Sequence, residues 1–346
     1  MAEAIVSIIV VNWNGLKFLD KCLSSIFTQK FARSPWRFEV VFVDNGSTDG
    51  SVEFVKGRFP AARVIENGSN LGFAKANNQG IAASGAKFVL TLNNDTELSS
   101  GFLDNLLQAA NRGDLGVGMW APKILSMETA RLIDSVGGLL IYPDGLARGR
   151  GRLEKDTGQY DGIKEIFAPS ACAALYLRTM LDSVGLFDED YFAYCEDTDL
   201  GFRARLAGWK AVSAPEAVVY HYYSGTSGRY TPFKAYLVER NRIYTAIKNL
   251  PLSYLAASFF YTAWRYIVQA YGVFAGKGAG GRFSAEGSRL ELVYILFKAY
   301  AHAAANLPSL LKKRSVIRQK IKATSADVRT WFRNSGIAAA ALVLKD

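Results

Sequence analysis

The sequence predicts an α/β fold built on a mostly parallel, doubly wound sheet flanked by helices, followed by a helical C-terminal segment of different character. Three observations predict it. Apolar strand-like runs alternate with helical spacing from residue 5 to residue 95. One of these runs, Phe88-Val-Leu-Thr-Leu92, leads straight into Asn93-Asn-Asp95, as a buried strand does when it ends at a ligand-facing edge. Beyond about residue 250 the chain turns basic and carries two long apolar stretches.

Taken in order, residues 5–11 form the first strand, and Asn12-Trp-Asn-Gly15 breaks it. Leu16, Leu19, Cys22, Leu23 and Ile26 then recur at helical spacing. Residues 38–43 are a second strand closed by Asp44-Asn-Gly-Ser-Thr-Asp49, in which Ser47 or Asp49 can cap the next helix. Residues 63–66 are a short third strand, residues 70–80 open a helix, and the strand ending at Asp95 follows. A helix over residues 99–111, a strand over 116–120 and a hairpin turning at Pro143-Asp-Gly145 continue the chain. Arg148-Gly-Arg-Gly-Arg152 reads as a mobile basic loop, either solvated or closing over phosphates. A small-residue turn and strand over 167–177 precede a helix with Met180 and Leu181. Glu196, Asp197 and Asp199 crowd before a helix with Leu200, Arg203 and Leu206, and a strand over 217–220 ends at His221, ahead of Ser224-Gly-Thr-Ser-Gly228.

The 346 residues are 50% hydrophobic, enough for a full α/β domain plus an extra segment. Three widely spaced cysteines, Cys22, Cys172 and Cys195, argue against a disulfide framework and for a reducing compartment. Met-Ala-Glu-Ala runs directly into a strand, so no signal peptide is expected. There is no G-x-G-x-x-G and no P-loop, so a nucleotide is not held by a glycine cradle. Asp44 is the better handle: a carboxylate accepts the N3–H of uracil or thymine, which cytosine lacks, though a turn-forming role also fits. Asp95 can hold a hard divalent ion by one oxygen and leave positions for phosphates. The acidic cluster is either ordinary helix-start chemistry or, behind Tyr191, Phe192 and Tyr194, a carboxylate of raised pKa suited to a general base. His221, one of two histidines, is either structural or a strand-end metal ligand.

Together these residues resemble the family 2 inverting glycosyltransferases of GT-A, Rossmann-like fold, in their bacterial rhamnosyltransferase-like branch. The resemblance covers about residues 5–250. It rests on Val10-Val-Asn-Trp-Asn-Gly15, Asp44-Asn-Gly-Ser-Thr-Asp-Gly50, Asn70-Leu-Gly-Phe-Ala-Lys-Ala-Asn77, Asn93-Asn-Asp95, Tyr194-Cys-Glu-Asp197 with Arg203, and His221. It implies that Asp44 reads the base and that Asp95 and His221 hold Mg2+ or Mn2+ with the donor diphosphate. Asp197, paired with Glu196, is implied as the catalytic base. Val11, Asn12, Asn14, Gly46, Asn70, Gly72, Lys75, Asn77, Asn93, Asn94 and Arg203 are implied to line the substrate site with Asp44. Asn93 stands where the D-x-D element has its first aspartate, which leaves one carboxylate ligand; the Asn-Asn-Asp form is common in this branch. The implied reaction moves a sugar, rhamnose from dTDP-rhamnose, onto a lipid-linked or cell-envelope glycan. A UDP-hexose or UDP-galactofuranose donor is the alternative within the class.

Residues 229–346 hold 19 Lys and Arg against 5 Asp and Glu, a balance of +14, whereas residues 1–228 hold 22 against 26, a balance of −4. Leu252–Phe274 is long enough to span a bilayer, but Ser258, Thr262, Arg265 and Gln269 fall on one helical face. A polar stripe opposite a wide apolar face fits a helix lying in the membrane interface. Residues 290–311 repeat the design and a basic run over 312–322 follows. The expectation is a catalytic domain over 1–250 and a membrane-associating region over 251–346, peripheral on the cytoplasmic face of the inner membrane, where truncation near Asn249 frees a soluble enzyme. A helical cap on the catalytic domain is the competing reading. Two further rivals are a nucleotide-sugar-binding protein without turnover and a nucleic-acid-binding protein using the basic tail. The second lacks any recognised binding motif, so no nucleic acid partner is expected.

Overall fold

The computed structural model describes residues 5–32, 36–112, 115–129, 132–222, 231–286 and 289–345. Its strands are β1 Val6–Asn12, β2 Phe38–Asp44, β3 Arg63–Glu66, β4 Phe88–Asn93, β5 Thr96–Leu98, β6 Val117–Ser126, β7 Ile133–Ser135, β8 Leu139–Ile141, β9 Ala147–Gly149, β10 Glu165–Ile166, β11 Ala173–Leu177 and β12 Lys210–His221. The helices of the first part are α1 Leu16–Phe27, α2 Ser51–Arg58, α3 Phe73–Ala82, α4 Phe102–Ala110, α5 Arg178–Val184 and α6 Glu196–Leu206. The C-terminal helices are α7 Pro232–Asn249, α8 Leu252–Phe274, α9 Gly278–Glu286, α10 Arg289–Ala305, α11 Leu307–Gln319, α12 Ser325–Ser335 and α13 Ala339–Val343.

The main sheet has the order β10-β12-β6-β11-β4-β1-β2-β3, with β5 added to β12 and β7 to β6. β3, β2, β1 and β4 are parallel neighbours, β11 runs antiparallel between β4 and β6, and β12 rejoins β6 in parallel. This is the mixed, mostly parallel α/β sheet expected. Alternate side chains of each strand enter opposite cores: Ile8, Val10, Val40 and Phe42 pack under α1, α2 and α4, and Ile9, Val41 and Val43 under α3, α5 and α6. Burial on both faces is why these strands read as unbroken apolar runs. The winding reverses at β1, so a crevice opens at the carboxyl ends of β1 and β4. All three cysteines are free thiols.

Several local expectations change. The residue before α2 is Gly50, and Asp49 caps from one place further back, accepting the Ser51 N–H at 3.2 Å and the Leu16 N–H at 2.9 Å. The Arg148–Arg152 stretch is no mobile loop: it begins as β9, and its guanidinium groups donate to the Leu342 carbonyl at 3.1 Å, the Gly137 carbonyl at 3.2 Å and the Asp134 carboxylate at 2.8 Å. The second apolar stretch is two helices, because Pro308 lies in the first turn of α11 and starts a new one. The Ser224–Gly228 motif lies outside the described residues.

α8 is a single helix over the stretch expected, and no helix among the described residues is long and apolar enough to cross a membrane. Its polar stripe faces the protein. Arg265 is buried and donates to Asp144 at 2.6 Å and to Glu239 at 3.1 Å, while Gln269 accepts from it at 3.2 Å. α12 returns to the sheet domain, where Val328 and Trp331 join Phe167, Phe202 and Leu206 in one core. Half of the basic run is also spent internally: Lys313 reaches Asp188 at 2.5 Å, Arg314 the Ile247 carbonyl at 2.6 Å and Lys320 the Ser183 carbonyl at 2.8 Å.

Candidate active site

The strand ends are tied together by one run of short polar side chains. Asp44, buried at the end of β2, accepts from Asn12 Nδ2 at 3.0 Å and from the Ser47 N–H at 2.8 Å. Asn12 Oδ1 accepts from Asn94 Nδ2 at 2.6 Å. Asp44, Asn12 and Asn94 therefore link the ends of β2, β1 and β4 across the crevice. Val11 is half-buried in β1, paired with Val43 and Asn93. Asn14 adopts a left-handed φ of 49° and stitches the first turn to the second, accepting the Thr48 N–H at 2.9 Å.

Gly46 needs its positive φ of 77°, and a Cβ there would lie 2.7 Å from Ser69 Cα. Asn70 Oδ1 accepts the Gly72 N–H at 2.9 Å and Asn45 Nδ2 at 3.0 Å, so it shapes the turn into α3. Gly72 lies against Phe192: a Cβ would come within 2.6 Å of it. On α3, Lys75 is exposed, whereas Asn77 is buried with its Oδ1 lacking a hydrogen-bond partner among the described residues. Asn45 went unnoticed in the sequence; buried, it also accepts from Asn67 at 3.1 Å and from the Leu71 N–H at 3.1 Å.

Asp95 and His221 meet because β5 pairs antiparallel with the end of β12, placing Thr96 opposite His221. His221 Nε2 is 3.3 Å from Asp95 Oδ1 and 3.5 Å from Asn93 Nδ2, and Nδ1 lies 2.6 Å from Asp134 Oδ2. Asp134 was not singled out in the sequence, because the pairing of β7 with β6 that delivers it is a long-range event. Burial disfavours the imidazolium, but Cys172 and the carboxylates of Asp134 and Asp95 outweigh it and hold His221 well above its ordinary value. Among the described residues no group of three or more His, Cys, Asp or Glu is arranged as a metal centre; Asp95 and His221 supply two donors of suitable type, and any cation here would need its remaining positions filled by other ligands.

The acidic cluster is the first turn of α6 and its members divide sharply. Asp197 accepts the N–H of Ala171 at 3.2 Å and of Thr198 at 2.6 Å. Burial raises the Asp197 carboxyl, and those donors limit the rise. Glu196 is raised well above its usual range by burial and by the charge of Asp197, and its Oε2 has no hydrogen-bond partner among the described residues. Burial raises both carboxyls, and the donors that stabilise a negative charge are gathered on Asp197 rather than on Glu196. Asp199 is different: burial would raise it, but Lys248 at 2.7 Å and Arg203 at 2.8 Å hold it far below the carboxylate range. Arg203 departs from the expected substrate contact. It is buried, with its nitrogens committed to Asp199 and to the carbonyls of Val184, Gly185 and Leu186, so it braces the 184–186 turn.

The two halves of the site join through a small-residue turn. Ala171 donates to Asp197, and the carbonyl of the next residue, Cys172, accepts the N–H of Asn93 at 2.9 Å. Residues 7–185 match the sequence family Glycosyl transferase family 2. The chain is a family 2 glycosyltransferase. The glycosyltransferase is 33% identical over 215 residues to the N-acetylglucosaminyl-diphospho-decaprenol L-rhamnosyltransferase of Mycobacterium tuberculosis, an alignment covering 55% of this chain and 68% of that one. Its fold is shared with S. aureus TarS residues 1–349, at 19% identity and a TM-score of 0.51 over 74% of this chain and 70% of that one. The structure of GalNAc-T7 with UDP, GalNAc and Mn2+ superposes with a TM-score of 0.51 at 16% identity, over 72% of this chain and 52% of that one.

Proposed function

We propose that this glycosyltransferase transfers a sugar, with inversion, from a nucleoside-diphosphate donor to a lipid-linked glycan, with Asp197 as the general base. The observation that carries the reading is the Ala171-Cys172 turn, whose two successive residues bond the buried Asp197 carboxylate and the N–H of Asn93 at the end of β4, two residues before Asp95. In this reading Asp44 accepts the N3–H of a uracil or thymine base, and Asn12 and Asn94 fix its carboxylate and the adjoining strand end. Asp95 and His221 are the residues that would hold Mg2+ or Mn2+, which when bound neutralises charge growing on the diphosphate. Asp197 takes the proton from the acceptor hydroxyl on the opposite face of the anomeric carbon. Glu196, buried beside it with fewer hydrogen-bond donors, favours the neutral form while Asp197 carries the charge.

The donor is proposed to be dTDP-rhamnose. The support is the likeness to the mycobacterial enzyme, whose name specifies L-rhamnose and a decaprenyl-diphosphate-linked N-acetylglucosamine. UDP-hexose is the second reading. A screen reporting which sugar nucleotide is consumed decides between them. Residues 1–250 are read as the transfer domain and 251–346 as the part that meets the cytoplasmic face of the inner membrane, peripherally, where a lipid-linked acceptor diffuses. Asp197→Asn keeps the size of the side chain and removes the proton acceptor, so turnover should fall by about 10²–10⁴ while donor binding survives. Near-normal turnover in that variant would remove Asp197 from the role. A binder without turnover has no need of a carboxylate pair pushed up by burial, which favours the enzyme over that alternative.

A further inference from the structure

The turn before α6 holds three of the five non-glycine residues with left-handed φ among the described residues: Phe192 at 63°, Tyr194 at 70° and Cys195 at 65°. Such conformations persist only where the surroundings over-determine them. Here the Ala74 N–H holds the Phe192 carbonyl at 3.1 Å, and a single side chain gathers three other carbonyls of the turn. Asn241 on α7 is 0% exposed, and its Nδ2 donates to the carbonyls of Tyr191 at 2.9 Å, Ala193 at 2.8 Å and Tyr194 at 2.7 Å. Its Oδ1 accepts from Arg240 Nε at 2.9 Å, which settles which end of the amide faces the turn. Arg240 reinforces it, donating from Nη2 to the carbonyls of Asp190 at 2.9 Å and Tyr191 at 3.0 Å.

We propose that Asn241 is a positioning residue for sugar transfer: its amide gathers three carbonyls and holds the 191–195 turn in the shape that places Asp197. This rests on Asp197 being the base. Carbonyls converge on one nitrogen only while the intervening peptides keep their left-handed geometry. Without the amide, those carbonyls are buried with one donor fewer, and relaxation of Tyr194 and Cys195 towards negative φ re-aims the first turn of α6, two residues before Asp197. Asp197 makes one contact outside its own helix, to the Ala171 N–H at 3.2 Å, its other donors being the N–H and hydroxyl of the next residue, Thr198, so its direction follows the start of α6. Asp44, Asn12 and Asn94 are joined by their own bonds, and among the described residues the turn touches the residues beside them only through Phe192, against Gly72 and the Ala74 N–H.

The test compares turnover with nucleotide affinity in the full chain. Asn241→Leu preserves volume and removes the hydrogen bonds. Arg240→Ala, at a half-buried position, weakens the same clamp with little risk to folding. Both are assayed for kcat, for cooperative melting, and for binding of UDP and dTDP by titration calorimetry. The expected result is a kcat lower by about 10- to 100-fold in Asn241→Leu and by a smaller factor in Arg240→Ala, with nucleotide Kd within about twofold of the parent. A folded Asn241→Leu with kcat within about twofold of the parent overturns the proposal, as does nucleotide affinity falling in step with kcat. If Asn241→Leu does not fold, Arg240→Ala decides: unchanged kcat overturns the proposal, and lowered kcat at unchanged Kd supports it. Asp197→Asn separates the two readings. Retained turnover there defeats the base assignment, whereas an inactive Asp197→Asn beside a fully active Asn241→Leu defeats only the positioning role.

Discussion

Three side chains set the prospective metal end: Asp95, His221 and Asp134. Asp134 matters because it fixes which nitrogen of His221 is presented, leaving Nε2 on the Asp95 side. Chelator is expected to abolish transfer and Mg2+ or Mn2+ to restore it, with Asp95→Ala inactive throughout. His221→Ala should raise the metal concentration needed. Asp134→Asn should weaken metal affinity by about 10- to 100-fold, the usual cost of losing such a partner. Full activity in excess EDTA would refute the metal role, and a His221→Ala enzyme with an unchanged metal requirement would leave the histidine structural. The carboxylates of Asp134 and Asp95 favour the protonated imidazole of His221, so binding of the ion should release a proton and its apparent affinity should drop as pH falls. That Asp95 and His221 stand near each other follows from strand ends the sequence displays: His221 ends β12, and Asp95 lies in the two-residue turn between β4 and β5. Asp134 was not legible there, because its meeting with His221 depends on the β6–β7 pairing. Arg203 was expected at the substrate through the family resemblance alone, whereas its spacing from Asp199 is the i,i+4 spacing of the helical ion pair it forms.

Among the elements, α8 shows most plainly what the sequence does and does not convey. Its polar stripe was visible from spacing, and the buried parallel strands from their unbroken apolar runs, since both are local patterns. The stripe's partners were not visible, because Asp144 lies in a hairpin turn 121 residues away and Glu239 lies on α7. Arg265 bridges these two buried carboxylates, and Arg242 also donates to Glu239 at 2.6 Å. Removing one member of such a group leaves a buried charge without its partner, so Arg265→Ala should destabilise the protein by about 3–5 kcal/mol in denaturant melts. Loss under about 1 kcal/mol would mean that water replaces the guanidinium there. Burial would raise the Glu239 carboxyl, but Arg242 and Arg265 outweigh it and hold it at about 2 against an ordinary 4.5. A lowered carboxyl stabilises the fold above its ordinary value, so this contribution is complete above pH 4.5 and lost as pH falls towards 2. Melts of the parent should weaken over that window, and Arg265→Ala should weaken less.

For the whole molecule, the question is what the C-terminal helices face. Of the 21 large exposed hydrophobic residues described, 17 lie from Leu252 onward, including Phe259, Phe260, Trp264 and Ile267 on α8 and Tyr294 and Phe297 on α10. The two helices are neighbours, since the Tyr266 hydroxyl donates to that of Tyr300 at 3.2 Å. An apolar surface this extensive calls for a partner. Lys277 after α8, Lys298 on α10, and Lys312 and Arg318 on α11 stand exposed, and each cation near an anionic bilayer contributes about 1 kcal/mol. Burial of the apolar faces adds roughly 25 cal/mol per Å². With Arg265 turned inward to Asp144 and Glu239, neither contribution draws it into hydrocarbon. The expectation of a soluble truncation at Asn249 needs correcting on the same grounds. Such a cut strips Asp144 and Glu239 of Arg265 and takes Val328 and Trp331 out of the core around Phe167, so an unstable protein should result rather than a freed enzyme. Surface substitutions are the sounder test. Phe260→Ser with Trp264→Ser should leave melting and nucleotide binding intact while lowering sedimentation with vesicles containing phosphatidylglycerol and slowing transfer to lipid-linked acceptors. High salt or alkaline carbonate should release much of the parent protein from membranes. Resistance to both washes, with detergent alone effective, would show a helix crossing the bilayer, and unchanged vesicle binding by the double variant would move the contact elsewhere.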